Sequence, residues 1–426
     1  MESLTLQHCE MLDREDPLRE LRTQFELPAG VIYLDGNSLG ALPRAAAARV
    51  SEAVTRGWGM GLVKSWNAEG WVTLPRRVGD KIARLIGAAP GEVVATDSTS
   101  VNLYKVLSAA LQIAAIDAPE RTVVLSERGN FSTDLYIADS LCRERGFTLR
   151  LVEPGQLAAS LDDSVAVLIL TQVNFRTGAM HDMAALSARA HAQGVLALWD
   201  LAHSAGAVPV DVHAAQADFA VGCGYKYLNG GPGSPAYVWV HPRHVDRVQQ
   251  PLSGWWGHAK PFDFSATYVP AAGIDRYLAG TPPILSLVAL ECGVDTLLAA
   301  EALGGVAGLR RKSLALTSLF MALVRSRLSG HGLDIVTPED DSQRGSQVCL
   351  TRREGAYSII QALIARGVIG DFRAGDGVAQ PDILRFGFAP IYVRFADVWH
   401  VVEHLRQVLE GGEWREPRYA QLNAVT

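Results

Sequence analysis

Short apolar runs alternate with stretches of helical periodicity through the middle of the chain. Arg121–Leu125, Val165–Leu170, Val195–Trp199 and Phe219–Val221 are short and largely apolar at successive positions, which predicts strands. Thr99–Ile113, Thr133–Glu144 and Met183–Gln193 carry helical spacing. Strands that are apolar throughout, rather than at every second position, are covered on both faces. The alternation therefore predicts βα units and a mainly parallel sheet. The last third has another rhythm. A long helical stretch from Val306 to Leu328 precedes strand-like Leu333–Val336 and Ser346–Leu350, then a helix, Ala356–Arg366. Strand-like Gly370–Phe372 and Ile383–Phe386 follow, and a helix over Phe395–Glu410 closes the pattern. This order predicts a smaller α+β unit. The expected organisation is an N-terminal segment, 1–57, packing with a small domain at 306–426, and a large domain at 58–305 between them.

Length and charge narrow the classes. A chain of 426 residues is expected to form two or three domains. Its net charge of −6 gives no electrostatic reason to expect nucleic acid or an anionic membrane as a partner. The five cysteines stand singly, without CxxC or metal-ligand spacing, so reduced thiols are expected and no metal. Met1–Asp16 lacks the basic start and apolar run of a signal peptide. Apolar stretches fall short of the about 20 residues a membrane span needs. A cytoplasmic location is the expectation.

Candidate chemistry centres on Gly222-Cys-Gly-Tyr-Lys-Tyr-Leu-Asn-Gly-Gly-Pro-Gly-Ser-Pro235, directly after an apolar strand. Glycines at this density let a backbone approach another group closely, and Lys226 there could bind a carbonyl cofactor covalently. A solvated loop lysine fits the loop alone equally well. Upstream, the Val195–Trp199 run ends in Asp200, followed by Leu-Ala-His203. A carboxylate at the carboxyl end of a parallel strand sits where such sheets bind ligands, and it could keep a pyridinium nitrogen protonated. Asp200 could equally be a helix cap, and His203 a satisfied core histidine. Asp97-Ser-Thr99-Ser100-Val-Asn102 opens a helix, and hydroxyls and free N–H groups at such an end suit a phosphate, although Ser/Thr caps are common on all helices. In this order, the phosphate cradle, strand-end carboxylate and glycine-flanked lysine point together to pyridoxal 5′-phosphate (PLP).

Asp200-Leu-Ala-His203, Gly224-Tyr-Lys226-Tyr-Leu-Asn-Gly-Gly-Pro-Gly, Gly254-Trp-Trp-Gly-His258, Gly280-Thr-Pro-Pro-Ile284 and Tyr33-Leu-Asp-Gly-Asn-Ser-Leu-Gly40 resemble the kynureninase family, from about residue 30 to 405. The resemblance implies PLP fold type I of the class V aminotransferase-like kind. Its large domain has a mainly parallel seven-stranded sheet covered by helices, beside a smaller α+β C-terminal domain. It also implies a cytoplasmic homodimer with shared sites, and hydrolysis of L-kynurenine to anthranilate and L-alanine in tryptophan catabolism or NAD biosynthesis. By the same resemblance, Lys226 carries PLP and moves the substrate α-proton. Asp200 binds the ring nitrogen, with His203 beside the ring, and Phe131 stacks on its face. Thr99, Ser100 and Tyr225 bind the phosphate, Trp255 and Thr281 reach it from the second subunit, and Asp134 and Thr171 make further cofactor contacts. Tyr225 serves as acid and base in later steps. Arg385 clamps the substrate carboxylate, while Trp66, Thr281 and His258 belong to the substrate pocket. Trp66 and Thr281 stand where animal enzymes that prefer 3-hydroxykynurenine carry His and Asn, which implies a preference for L-kynurenine. Ser132 stands where many relatives have proline. Two alternatives are a cysteine desulfurase-like or other class V PLP enzyme, which in the first case needs a mobile cysteine, and a non-catalytic scaffold.

Overall fold

The computed structural model describes residues 4–378 and 380–422. Seven strands form its larger sheet: β1 (Val93–Thr96), β2 (Val123–Glu127), β3 (Thr148–Val152), β4 (Val165–Thr171), β5 (Leu196–Asp200), β6 (Phe219–Gly222) and β7 (Ala236–Val240). Their spatial order is β1-β7-β6-β5-β4-β2-β3. Strands β3, β2, β4, β5 and β6 run parallel, and β7 is antiparallel to both its neighbours. All seven residues of β4 are buried, as expected for a strand with helices over both faces. The helices Thr99–Asp117 and Ser132–Arg145 pack together on one face. Four of the seven strands match the sequence expectation, and β1, β3 and β7 lie outside it. Strand β3 lies at the sheet edge and is only half-buried, so its hydrophobic signal is weak, and β7 follows directly on the glycine- and proline-rich lysine loop.

The second sheet is antiparallel: β8 (Leu333–Ile335), β9 (Gln347–Arg352), β10 (Asp371–Arg373) and β11 (Ile383–Gly387), in the order β8-β9-β11-β10. The helices Gly305–Arg327 and Phe395–Glu410 pack together beside it. The N-terminal helix Leu6–Glu15 lies on Phe395–Glu410. Ile32–Tyr33 then pairs in parallel with Val368–Ile369, and Asp35 bridges to Gly387. Past this point the chain leaves the second sheet. The helix Arg44–Glu52 rests on Ile284–Leu298, which packs in turn on Leu74–Ile86 beside β1.

This arrangement sets where polar groups can gather. Strands β4 and β5 are apolar until their last residues, Thr171 and Asp200, which are paired across the ladder. Both polar groups thus appear at the carboxyl ends of the parallel strands, the edge at which open α/β sheets bind ligands.

Candidate active site

Beyond Gly222 the chain enters the lysine loop. Its tightness depends on one contact from far upstream: the Gly40 N–H donates to the Tyr225 carbonyl at 2.7 Å. A Cβ at Gly40 would collide with the Lys226 carbonyl oxygen and the Asn229 side chain, so no other residue fits there. The Lys226 amine lies 3.0 Å from His203 Nε2 and 5.6 Å from the centroid of the Phe131 ring. Phe131 is braced edge-on by Phe175 at 5.3 Å. It also caps the helix Ser132–Arg145, with Ser132 at the first helical position. Proline is favoured at that position and serine tolerated, so the departure noted at Ser132 leaves the turn intact.

Below the lysine sit two buried carboxylates. Asp200 accepts from the Ala202 N–H at 2.8 Å, and Asp134 accepts from the Thr171 hydroxyl at 3.2 Å. Burial, and then the neighbouring Asp200 charge, push Asp134 well above the usual carboxylate range, and burial also raises Asp200. Of the two, Asp134 is raised further, while the Lys226 charge and the Ala202 N–H act to keep Asp200 an anion. A protonated ring nitrogen is the partner such a buried anion lacks, so these residues fit PLP. Asn130 completes the floor, its Oδ1 accepting from the Thr171 N–H at 2.8 Å. His203 is held neutral by burial, reinforced by the charges of Lys226 and Arg385. Burial likewise lifts the Tyr225 phenol above its ordinary value, so it keeps its proton.

Opposite this floor, β11 supplies Arg385. The side chain is fully buried, paired with Asp371 on β10 and donating to the Ser38 hydroxyl and, at 3.1 Å, to the Phe175 carbonyl. Its Nε has no partner among the described residues. An open N–H on a buried guanidinium suits a carboxylate, which pairs with the arginine fork at two points. Arg373 also pairs with Asp371, at 2.8 Å, and Asp35 lies 3.8 Å from Arg385. Burial, and then Asp371, raise Asp35 to about 7.

Thr99 and Ser100 open the helix after β1, with Ser98 as its cap, accepting from the Val101 N–H at 3.3 Å. The first N–H groups of a helix lack intrahelical partners and attract anions. Asp97 makes the preceding turn with a left-handed backbone, φ 44°, and is tied to buried Lys105.

The other candidates gather in a different part of the chain. Trp66 packs on Trp256 at 5.2 Å and edge-on to Trp71 at 5.8 Å, and Trp255 meets Trp256 at 4.7 Å. The Trp256 N–H donates to the Ala279 carbonyl, joining the segments that carry the exposed Trp255 and Thr281. His258 accepts from the Lys260 N–H at 2.9 Å, and its Nε2 lies 3.2 Å from the Thr267 carbonyl. The sequence does not single out several of the groups around Lys226. Asn37 and Ser38 lie inside a motif already noted, whereas Gln347, Asp371 and the 174–175 carbonyls carry no local signal beyond a polar residue opening an apolar strand.

A half-buried lysine facing a histidine, above a buried carboxylate at the edge of a mainly parallel sheet, defines a PLP-dependent enzyme of fold type I. Solved structures of that fold superimpose on it. A cysteine desulfurase from Thermococcus onnurineus matches with TM-score 0.77 at 19% identity, over 92% of this chain and 98% of its own. A C-DES variant with glycine covalently linked to its PLP cofactor matches with TM-score 0.76 at 18% identity, over 90% and 98%. Sequence gives the particular family. The model of the kynureninase C-terminal domain matches residues 309–405. The kynureninase of Burkholderia pseudomallei is 56% identical over 97% of this chain and 98% of its own, and that of Pseudomonas fluorescens 53% over 99% and 100%. The chain belongs to the kynureninase family.

Proposed function

We propose that this protein hydrolyses the Cβ–Cγ bond of L-kynurenine, giving anthranilate and L-alanine, with Lys226 as the cofactor lysine. It is a PLP-dependent hydrolase of a carbon–carbon bond. The observation that carries the residue assignment is the Lys226 amine, 3.0 Å from His203 and above the buried Asp134–Asp200 pair. Bound here, PLP supplies an electron sink for the pair left at the substrate α-carbon.

The roles of the side chains follow from their surroundings. Arg385 would take the substrate carboxylate through its open Nε–H and so fix the α-carbon relative to Lys226. Lys226 Nζ would take the α-proton and return one later. Asp200 would hold a proton on the ring nitrogen, Asp134 sharing the charge, while Phe131 covers the ring face. Thr99, Ser100 and Tyr225 would hold the phosphate, and Thr171 keeps Asp134 oriented. Tyr225, kept protonated by burial, is the acid for the steps at the γ-carbonyl, to which water adds.

The reading includes a homodimer in which Trp255 and Thr281 of one subunit complete the phosphate site of the other. Trp66, Thr281 and His258 would line the aryl pocket. Supporting it, Trp255, Phe262 and Phe264 are exposed and in ring contact with one another, and Trp58, Met60 and Val63 are exposed as well. It includes the division near residue 305 and a cytoplasmic location, the latter supported by five buried, unpaired cysteines. No described helix is long and apolar enough to cross a membrane, and no described cluster suits a metal.

Desulfurase chemistry finds little support. Cys349 is fully buried, and burial pushes its thiol up to about 11; Cys223 is buried and raised too. The deciding experiment mixes the protein with PLP and L-kynurenine and follows anthranilate fluorescence, with Lys226→Ala as control. Product from the parent alone supports the reading. A yellow, folded parent that yields none removes the substrate assignment.

A further inference from the structure

Gln347 opens β9 in the second sheet, yet its amide sits against the lysine of the first. It is almost fully buried, with four nitrogen or oxygen partners and a longer contact from Nε2 to Cys349 Sγ at 3.6 Å. Its Nε2 donates to the carbonyls of Asn174 and Phe175, both at 3.1 Å. Its Oε1 accepts from Asn37 Nδ2 at 3.1 Å and lies 3.1 Å from His203 Nδ1. A carbonyl can only accept, so the amide NH2 must face residues 174 and 175, and the oxygen must face His203. An amide with that choice made cannot be flipped without opposing two pairs of acceptors.

We propose that Gln347 is a positioning residue that fixes the tautomer of His203. The amide oxygen places the ring proton on Nδ1, which leaves Nε2 bare and aimed at the Lys226 amine, 3.0 Å away. A bare Nε2 accepts from a protonated lysine nitrogen; the other tautomer would set an N–H against it. Gln347 therefore favours the protonated form of that nitrogen without touching it. The charges that act most strongly on His203 are cationic. Lys226 comes from the loop, Arg385 from β11 and Arg373 from β10, with Asp371 and Asp35 behind the two arginines. They oppose a second proton on the ring, so one neutral tautomer is what the amide selects. The same amide ties the second sheet to the loop after β4, so the proton position of His203 depends on how the two units sit together.

The inference rests on Lys226 being the cofactor lysine, and the test separates the two. Gln347→Leu and Gln347→Glu are prepared beside the parent. The ring 15N shifts of His203, assigned with His203→Asn, are read without and with PLP, and the visible cofactor band is titrated with pH. The parent is expected to show Nδ1–H. Gln347→Glu keeps an acceptor and should keep Nδ1–H, although it loses both donors to the carbonyls. Gln347→Leu should move the proton to Nε2 and lower the midpoint of the visible transition by about one pH unit, a tenfold change in proton affinity. Nδ1–H retained in Gln347→Leu, or an unmoved midpoint, overturns the proposal. Should Gln347→Leu not fold, loss of Nδ1–H in Gln347→Glu overturns it instead. A parent with no visible band refutes the cofactor assignment, and the ring shifts still decide the tautomer.

Discussion

Asp371→Asn tests the charge balance around Arg385. The wild-type carboxylate is buried and pairs with the fully buried Arg385 and with Arg373. Asparagine keeps the shape and one accepting oxygen, and replaces the charge and the second oxygen by an NH2 group. Deleting a partner from a buried pair costs roughly 3–5 kcal/mol when nothing remains to compensate. Here the Ser38 hydroxyl, the Phe175 carbonyl and Asp35 remain around Arg385, so a cost below that range, about 2–3 kcal/mol, is expected. The pH dependence sharpens the test. Asp35 is raised to about 7, first by burial and then by the Asp371 charge. An acid whose folded pKa is raised contributes stability that is full below its unfolded value, near 3.9, and is lost as pH rises through about 7. Removing the Asp371 charge lowers Asp35, so the variant loses less over that interval. Melting temperatures of parent and variant, measured from pH 5 to 8, should differ most at the acid end and converge upward. At about 2 °C for each kcal/mol in a chain this large, the acid-side gap is about 5 °C. A gap that is absent, or that widens with pH, would refute the assignment of Asp371 as the charge that raises Asp35.

Arg385→Lys replaces a planar fork by a point charge, and kcat/KM for L-kynurenine should fall about 10- to 100-fold, mostly through KM, in steady-state assays. Mixing Lys226→Ala and Trp255→Ala subunits should restore activity that neither variant has alone, because hybrid dimers regain one intact site; no recovery after verified exchange would argue against sites shared between subunits. At the far end of the larger sheet burial works to raise Asp218, but hydrogen bonds from His191, His244, the Ala197 N–H and Arg243 outweigh it and hold the carboxyl far below its usual range. That stability is present above pH about 4 and is lost as pH falls further, so Asp218→Asn should lower the melting temperature at pH 7 and flatten its acid limb.

The βα alternation was legible because a strand covered on both faces must be apolar throughout, and that pattern is local. Lys226, Asp200 and Thr99 were legible for a related reason: each stands where an apolar run stops and a glycine turn or helix start begins. The edge strand β3 escaped because half of it meets solvent, and β7 because turn residues crowd its start. The resemblance also named Arg385, but its partners could not be read along the chain. Asp35, Ser38 and Asp371 meet it only because the N-terminal segment runs beside β11 and β10 pairs with β11. Gln347 is the clearest case. Nothing in Ser-Gln-Val-Cys-Leu distinguishes it from any polar residue opening a strand, and its consequence arises from contacts more than a hundred positions away. Local sequence determines which segments become strands and where polar groups can emerge, since burial on each face acts on neighbouring residues. Which protons those groups hold is decided by the tertiary structure, because charge and desolvation act through space.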